Sequence, residues 1–172
     1  MVSPQREPLP EPVVQVVTSI FNERIPFNRL LGMRLTELRR GWARIEFAAN
    51  DDLIGDVSKQ ILHGGVLCAL IDSAGGAAAM SSLDFTREMS VNTIDMRVDF
   101  LRPAAGAAFV IEGEAIRKGS RIVFTRVDVR NGDGVLVAGG HANYSILQRK
   151  QVNEPPQEFL KRWVQDGEDR DD

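Results

Sequence analysis

Residues 61–80 read ILHGGVLCALIDSAGGAAAM, and between Gly64 and Leu83 Asp72 is the sole charged residue. A helix over 64–82 with this composition has no polar face and must be buried on all sides. Its Asp, the Gly75-Gly76 pair and the lack of basic flanks argue against a membrane span. Cover for such a helix has to come from the rest of the chain, and the rest of the chain alternates. Downstream, SVNTIDMRVDFLRP (90–103) keeps a period of two up to Pro103. AAFVIEGEAIRKG and SRIVFTRVDVR follow as strands joined at Lys118-Gly119, and Asn131-Gly132-Asp133-Gly134 marks a further hairpin before GVLVAGGHANYSIL.

Upstream, Pro12 suits the first position of a helix, and Val13, Val16, Val17 and Ile20 recur at helical spacing. From residue 26 the pattern changes: Met33 and Leu35, then Ala43, Ile45 and Phe47, alternate on either side of Arg40-Gly41, a hairpin. DDLIGDVSKQI (51–61) reads as a loop. The order is helix, two strands, one very apolar helix, then four meandering strands. This is an α+β, hot-dog arrangement in which an antiparallel sheet wraps a central apolar helix, with an N-terminal helix added. The expected organisation is a disordered stretch over 1–11, a single domain over 12–147 and a polar, acidic tail over 148–172, with a short helix at 157–165.

The tail residues 161–172 hold five of the 24 acids and three of the 21 bases, so the remaining 160 residues are close to neutral. No broad basic field is available for nucleic acid. The polar, proline-rich N-terminus is not a signal peptide. A lone cysteine, Cys68, cannot pair internally and points to a reducing cytoplasm. Only two histidines, His63 and His141, accompany it, too few and too far apart for a metal site. No metal and no organic cofactor is expected.

Asp72 then needs a reason. It sits mid-helix, so it cannot be an N-cap, and no Lys or Arg lies three or four residues away. An unpaired buried carboxylate costs several kcal/mol, so it is either a structural acid satisfied from elsewhere or a site residue. His63 falls where the helix begins, and Gly64-Gly65 supply its first amides. Amides at a helix N-terminus, bare of Cβ, can hold the oxyanion of an acyl-transfer reaction, and a carboxylate is the matching base or nucleophile. Gly64 and Asp72 are eight residues apart, about 12 Å of rise and roughly 80° of turn, so one carbonyl cannot meet both on one chain. The amide of one subunit is expected to face the Asp of another, in a homodimer at minimum, with pairing of dimers into a homotetramer left open.

LHGGVLCALID with its His-to-Asp spacing of nine, TIDMRVDFLRP and the KGS hairpin together resemble the hot-dog acyl-CoA thioesterases of the phenylacetate-pathway type, over about residues 26–147. The resemblance implies hydrolysis of an acyl-CoA. Gly64 would give the oxyanion N–H with Gly65 beside it, Asp72 would be base or nucleophile, His63 would orient the loop, and Thr93 would help position water. Arg117, Lys118, Gly119, Ser120 and Arg121 would touch the CoA nucleotide. An Asn that several relatives carry six residues before the His is replaced here by Val57, beside Asp56, and Asp56 cannot donate as an amide does. Two rival readings are a hot-dog hydratase or dehydratase built on His63, and a non-catalytic acyl-CoA binding module. The paired charges Arg126, Asp128 and Arg130 read as a solvated strand face, His141 as structural or exposed, and Trp42 and Phe47 as core or interface.

Overall fold

The computed structural model describes residues 6–85 and 87–151. The segment expected to carry the 157–165 helix and the acidic tail lies outside the described residues.

Helix α1 (Glu11–Ser19) carries Pro12 in its first turn and turns Val13 and Val17 inward, one helical turn apart. It runs into a π turn (Ile20–Arg24), whose residue Phe21 continues the buried row. Pro26 has no N–H to extend the ladder, and the residue before it, Ile25, is pushed extended at φ −78°, ψ 109°. The helix therefore stops and a second one, α2 (Pro26–Leu31), restarts on that proline and ends at Gly32 in the left-handed region, φ 73°. This helix was not expected from the sequence. It is six residues long, too short for periodicity to show, although Pro26 and Gly32 are its start and stop signals.

Strands β1 (Arg34–Arg39) and β2 (Trp42–Ala48) form the expected hairpin about Gly41. The stretch read as a loop folds instead into a 3-10 turn (Asp51–Leu53) and a small hairpin of β3 (Ile54–Asp56) and β4 (Ile61–Leu62). Then come α3 (Gly64–Ser81), β5 (Arg87–Phe100), β6 (Ala108–Lys118), β7 (Ile122–Asn131) and β8 (Leu136–Gln151). The main sheet is antiparallel in the order β1-β2-β6-β7-β8-β5, leaving β1 and β5 as its edges. β8 runs four residues past the expected end of the domain at 147.

The inward faces of the strands supply Ala43, Ile45, Phe109, Ile111, Val127 and Ala142, all at or below 1% exposure, and α3 lies across them with Leu70, Ile71 and Ala74 fully covered. Burying each such branched side chain contributes about 1.5–3 kcal/mol, so the helix–sheet seam is the main source of stability. The seam is tight: a Cβ at Gly113 would run into the backbone carbonyl of Ala74, and one at Gly140 would lie 2.7 Å from Ile71 Cγ2. By length and composition α3 could cross a membrane, but 56% of it is buried inside the protein, as befits a core helix.

Two expectations are corrected here. Residues 6–10 are packed rather than disordered: Leu9 is buried, the Arg40 N–H donates to the Glu7 carbonyl at 3.0 Å, and the Arg6 guanidinium lies 4.5 Å over the Trp42 ring. And α3 is not buried on all sides within one chain. Gly65 is exposed, and Cys68, Ala69, Asp72, Ser73, Gly76 and Met80 are partly exposed, a stripe at three- and four-residue spacing.

Candidate active site

Asp72 lies on that open stripe, so the cost of full burial that singled it out in the sequence does not apply in one chain. What distinguishes it instead is its set of partners. The Thr93 hydroxyl, on edge strand β5, donates to Asp72 Oδ1 at 2.8 Å. From β8 the Tyr144 hydroxyl donates to the Asp72 backbone carbonyl at 2.8 Å and stands 3.4 Å from the same Oδ1. Burial and the Asp72 charge both push the Tyr144 phenol well above its usual range, so it remains a donor.

Asp72, Thr93 and Tyr144 border a pocket of about 320 Å³, within the range of ligand sites. Apart from Asn28 its other walls are apolar or small, with Val17, Ile20 and Phe21 from the N-terminal helices on one side and Gly76, Ala77 and Met80 from α3 on the other. The π turn that forms one wall is fastened at two points. Asn28, only 3% exposed, donates to the Phe21 carbonyl at 3.1 Å. Asn22 donates to the Leu35 carbonyl at 3.2 Å and accepts from the Leu35 N–H at 2.8 Å.

His63 and the two glycines occupy the other end of the helix. The β3–β4 hairpin delivers His63, whose N–H donates to the Leu53 carbonyl at 2.9 Å. His63 is the N-cap: its Nδ1 accepts from the Gly65 N–H at 2.9 Å. That bond engages the Gly65 amide and leaves the Gly64 N–H as the first of the helix, where no intrahelical partner exists. Gly64 opens onto a groove lined by Ile61, Leu67, Phe100 and Arg102, separate from the pocket at Asp72. A methyl group on Gly64 would touch the Phe100 ring at 3.4 Å.

The turn Arg117–Arg121 lies at the far end of α3. The Lys118 ammonium donates to the Ser82 carbonyl at 2.8 Å, just past the helix C-terminus, and the Arg117 guanidinium sits 5.9 Å over Phe124. The Gly119 N–H closes the turn on the Ile122 carbonyl at 2.8 Å, and Ser120 and Arg121 are exposed. One chain therefore brings Asp72 and Thr93 together, and His63, Gly64 and Gly65 together, and it holds the 117–121 turn apart from both.

Asp56 has a local task. Its Oδ1 accepts from the Ser58 hydroxyl at 2.6 Å and from the Ser58 and Lys59 N–H groups, and these bonds, the Ser58 hydroxyl foremost, lower its pKa. It shapes the hairpin tip where Val57 is exposed. Trp42 and Phe47 are core, His141 is exposed, and Arg126 pairs with Glu114 at 3.0 Å, as Arg130 does with Asp128 at 3.2 Å. Tyr144 and Asn28 were missed in the sequence. The signal for Tyr144 was there: it is the only tyrosine of the chain, at an inward position of a strand.

Residues 59–138 match the family described as the thioesterase superfamily. The medium/long-chain acyl-CoA thioesterase YigI of Escherichia coli strain K12 is 30% identical over 148 residues, covering 79% of this chain and 95% of that protein. A crystal structure from Shewanella oneidensis, of a protein related to the thioesterase superfamily, superposes with a TM-score of 0.69 at 31% identity, covering 77% of this chain and 94% of that one. A thioesterase family protein from Silicibacter pomeroyi gives 0.69 at 26% identity, with 78% and 97% covered.

Proposed function

Given that the chain belongs to the thioesterase superfamily and is a thioester hydrolase, we propose that it cleaves medium- to long-chain acyl-CoA thioesters, using Gly64 of one protomer and Asp72 of another. The observation that carries this reading is Asp72, held by Thr93 at the mouth of an apolar pocket of acyl-chain dimensions. The name of the Escherichia coli relative supports the chain-length class.

In this reading the Gly64 N–H and the helix N-terminus polarise the thioester carbonyl, and His63 keeps Gly65 in its cap. Asp72 either takes a proton from water as that water adds to the carbonyl carbon, or attacks the carbon itself to give an anhydride that water then opens. Either way the C–S bond breaks, CoA leaves as the thiol and the carboxylic acid remains. The 117–121 turn offers Arg121, Arg117 and backbone groups to the CoA phosphates. Gly64 and Asp72 open onto different surfaces of one chain, which supports a site shared between two protomers. The β5 edge favours such pairing: it is 14 residues long and exposes Ile94 and Phe100, an unpaired template for another strand. We place the dimer, or a pair of dimers, in the cytoplasm.

Thiol release from a panel of acyl-CoAs, phenylacetyl through long-chain, tests the reading with wild type and Asp72→Asn side by side. Wild type should favour medium or long chains, and Asp72→Asn should lose about a hundredfold or more in kcat. A wild type that binds acyl-CoA and releases no thiol would make this a binding module. Hydration of an enoyl-CoA in its place would favour the hydratase.

A further inference from the structure

We propose that Tyr144 is a positioning residue for Asp72, holding the carboxylate through a hydroxyl wedged against the α3 backbone at the 72–76 turn. The inference rests on Asp72 being the reacting carboxylate and adds to it a device that fixes its orientation. The Tyr144 hydroxyl donates to the Asp72 carbonyl at 2.8 Å, against a helix that runs unbroken from Gly64 to Ser81. The same hydroxyl stands 3.4 Å from Oδ1, the oxygen that Thr93 also holds. Thr93 on β5 thus donates to Oδ1, while the single proton of Tyr144 on β8 goes chiefly to the Asp72 carbonyl with Oδ1 at the limit of its reach, and Oδ2 is left to meet the reacting atoms.

The wedge needs room on the helix, and Gly75 provides it. A Cβ there would lie 2.5 Å from the phenol oxygen and 2.9 Å from Thr125 Oγ1. Tyr144 is 2% exposed, so its hydroxyl has no solvent to turn to. No other charged side chain lines the pocket around Asp72 among the described residues, so its carboxylate is governed by Thr93 and Tyr144. The Tyr144 ring forms pocket wall and the hydroxyl forms the clamp, and the two can be separated by removing one oxygen.

Tyr144→Phe is the test. The ring and therefore KM should be unchanged, while kcat falls about tenfold, the scale of one hydrogen bond to a charged group. The loss should lie in kcat alone and be the same for every acyl chain length, because the pocket wall is intact. The three-bond couplings that report the Asp72 χ1 rotamer, read without substrate, should go from those of one rotamer to averaged values. Replacing Tyr144 by 3-fluorotyrosine keeps the hydroxyl and should keep both the single rotamer and the wild-type kcat, which also decides the matter if Tyr144→Phe does not fold. A Tyr144→Phe protein that holds Asp72 in the same single rotamer overturns the proposal. The couplings are independent of turnover, so a wild type without thioesterase activity would defeat the functional reading and still leave the clamp decided.

Discussion

The two ends of the proposed catalytic apparatus are made from one helix by opposite means. At Gly64 the functional group is backbone, and the sequence around it works by omission: no Cβ at 64, and a cap from His63 that engages the neighbouring amide at 65 and spares that of 64. At Asp72 the functional group is a side chain, and it is held from outside the helix, by Thr93 21 residues away and Tyr144 72 residues away. A backbone donor needs only a helix start and bare space. A carboxylate that must point one way needs tertiary structure already formed, because a half-exposed side chain on a helix is otherwise free to choose among rotamers.

This contrast can be broken at each end. The largest effect is expected at Gly64. Proline is favoured at the first position of a helix, and His63 before it has the extended conformation that proline requires, φ −62°, ψ 135°. Gly64→Pro should therefore leave the helix start in place while deleting the N–H. Its kcat should fall about 10²- to 10³-fold with a far-ultraviolet circular dichroism spectrum like that of wild type. Retained activity would mean that Gly64 is not the oxyanion donor. Thr93→Val keeps the shape and removes one donor from Oδ1, and should cost roughly tenfold in kcat with KM little changed. An effect confined to KM would place Thr93 in substrate binding instead. The smallest effect belongs to the pocket wall, where neither end is touched. Ile20→Trp should fill the acyl pocket and lower kcat/KM for long chains by about 10-fold relative to short ones, the scale of a few methylenes. Equal losses on all chain lengths would show that the acyl chain lies elsewhere.

The same contrast explains what the sequence made legible. The His63-Gly64-Gly65 start, the Asp72 spacing and the turns at Gly41, Gly119 and 131–134 are local, and a reader with one sequence could place them. Short connections account for the β1–β2 and β6–β7–β8 neighbours, but the expected meander of the last four strands breaks at β5, which lies beside β8 instead of β6 and so leaves β6 to pair with β2. The second helix was hidden because Pro26 and Gly32 enclose only six residues. Tyr144 stood out in the sequence as the only tyrosine, but its role did not, because that depends on where β8 crosses α3, a contact set by the close approaches at Gly75 and Gly140. The burial of α3 was overread for a related reason: its composition fits a fully covered helix, while one chain covers only part of it. The stripe left open carries Asp72, and the groove at Gly64 lies apart from it, so the part of the helix left bare in a single chain is the part that the proposed dimer gives to a second one.

That assignment is the central claim, and active-site complementation tests it directly. Gly64→Pro and Asp72→Asn would be co-expressed with two different tags, and the heterodimer isolated by both. Each parent homodimer lacks one group in every site. If each site takes Gly64 from one protomer and Asp72 from the other, the heterodimer has one intact site and one doubly defective site, and should recover about half of wild-type activity. Activity no higher than that of the parents would contradict the account and place both groups in a single chain.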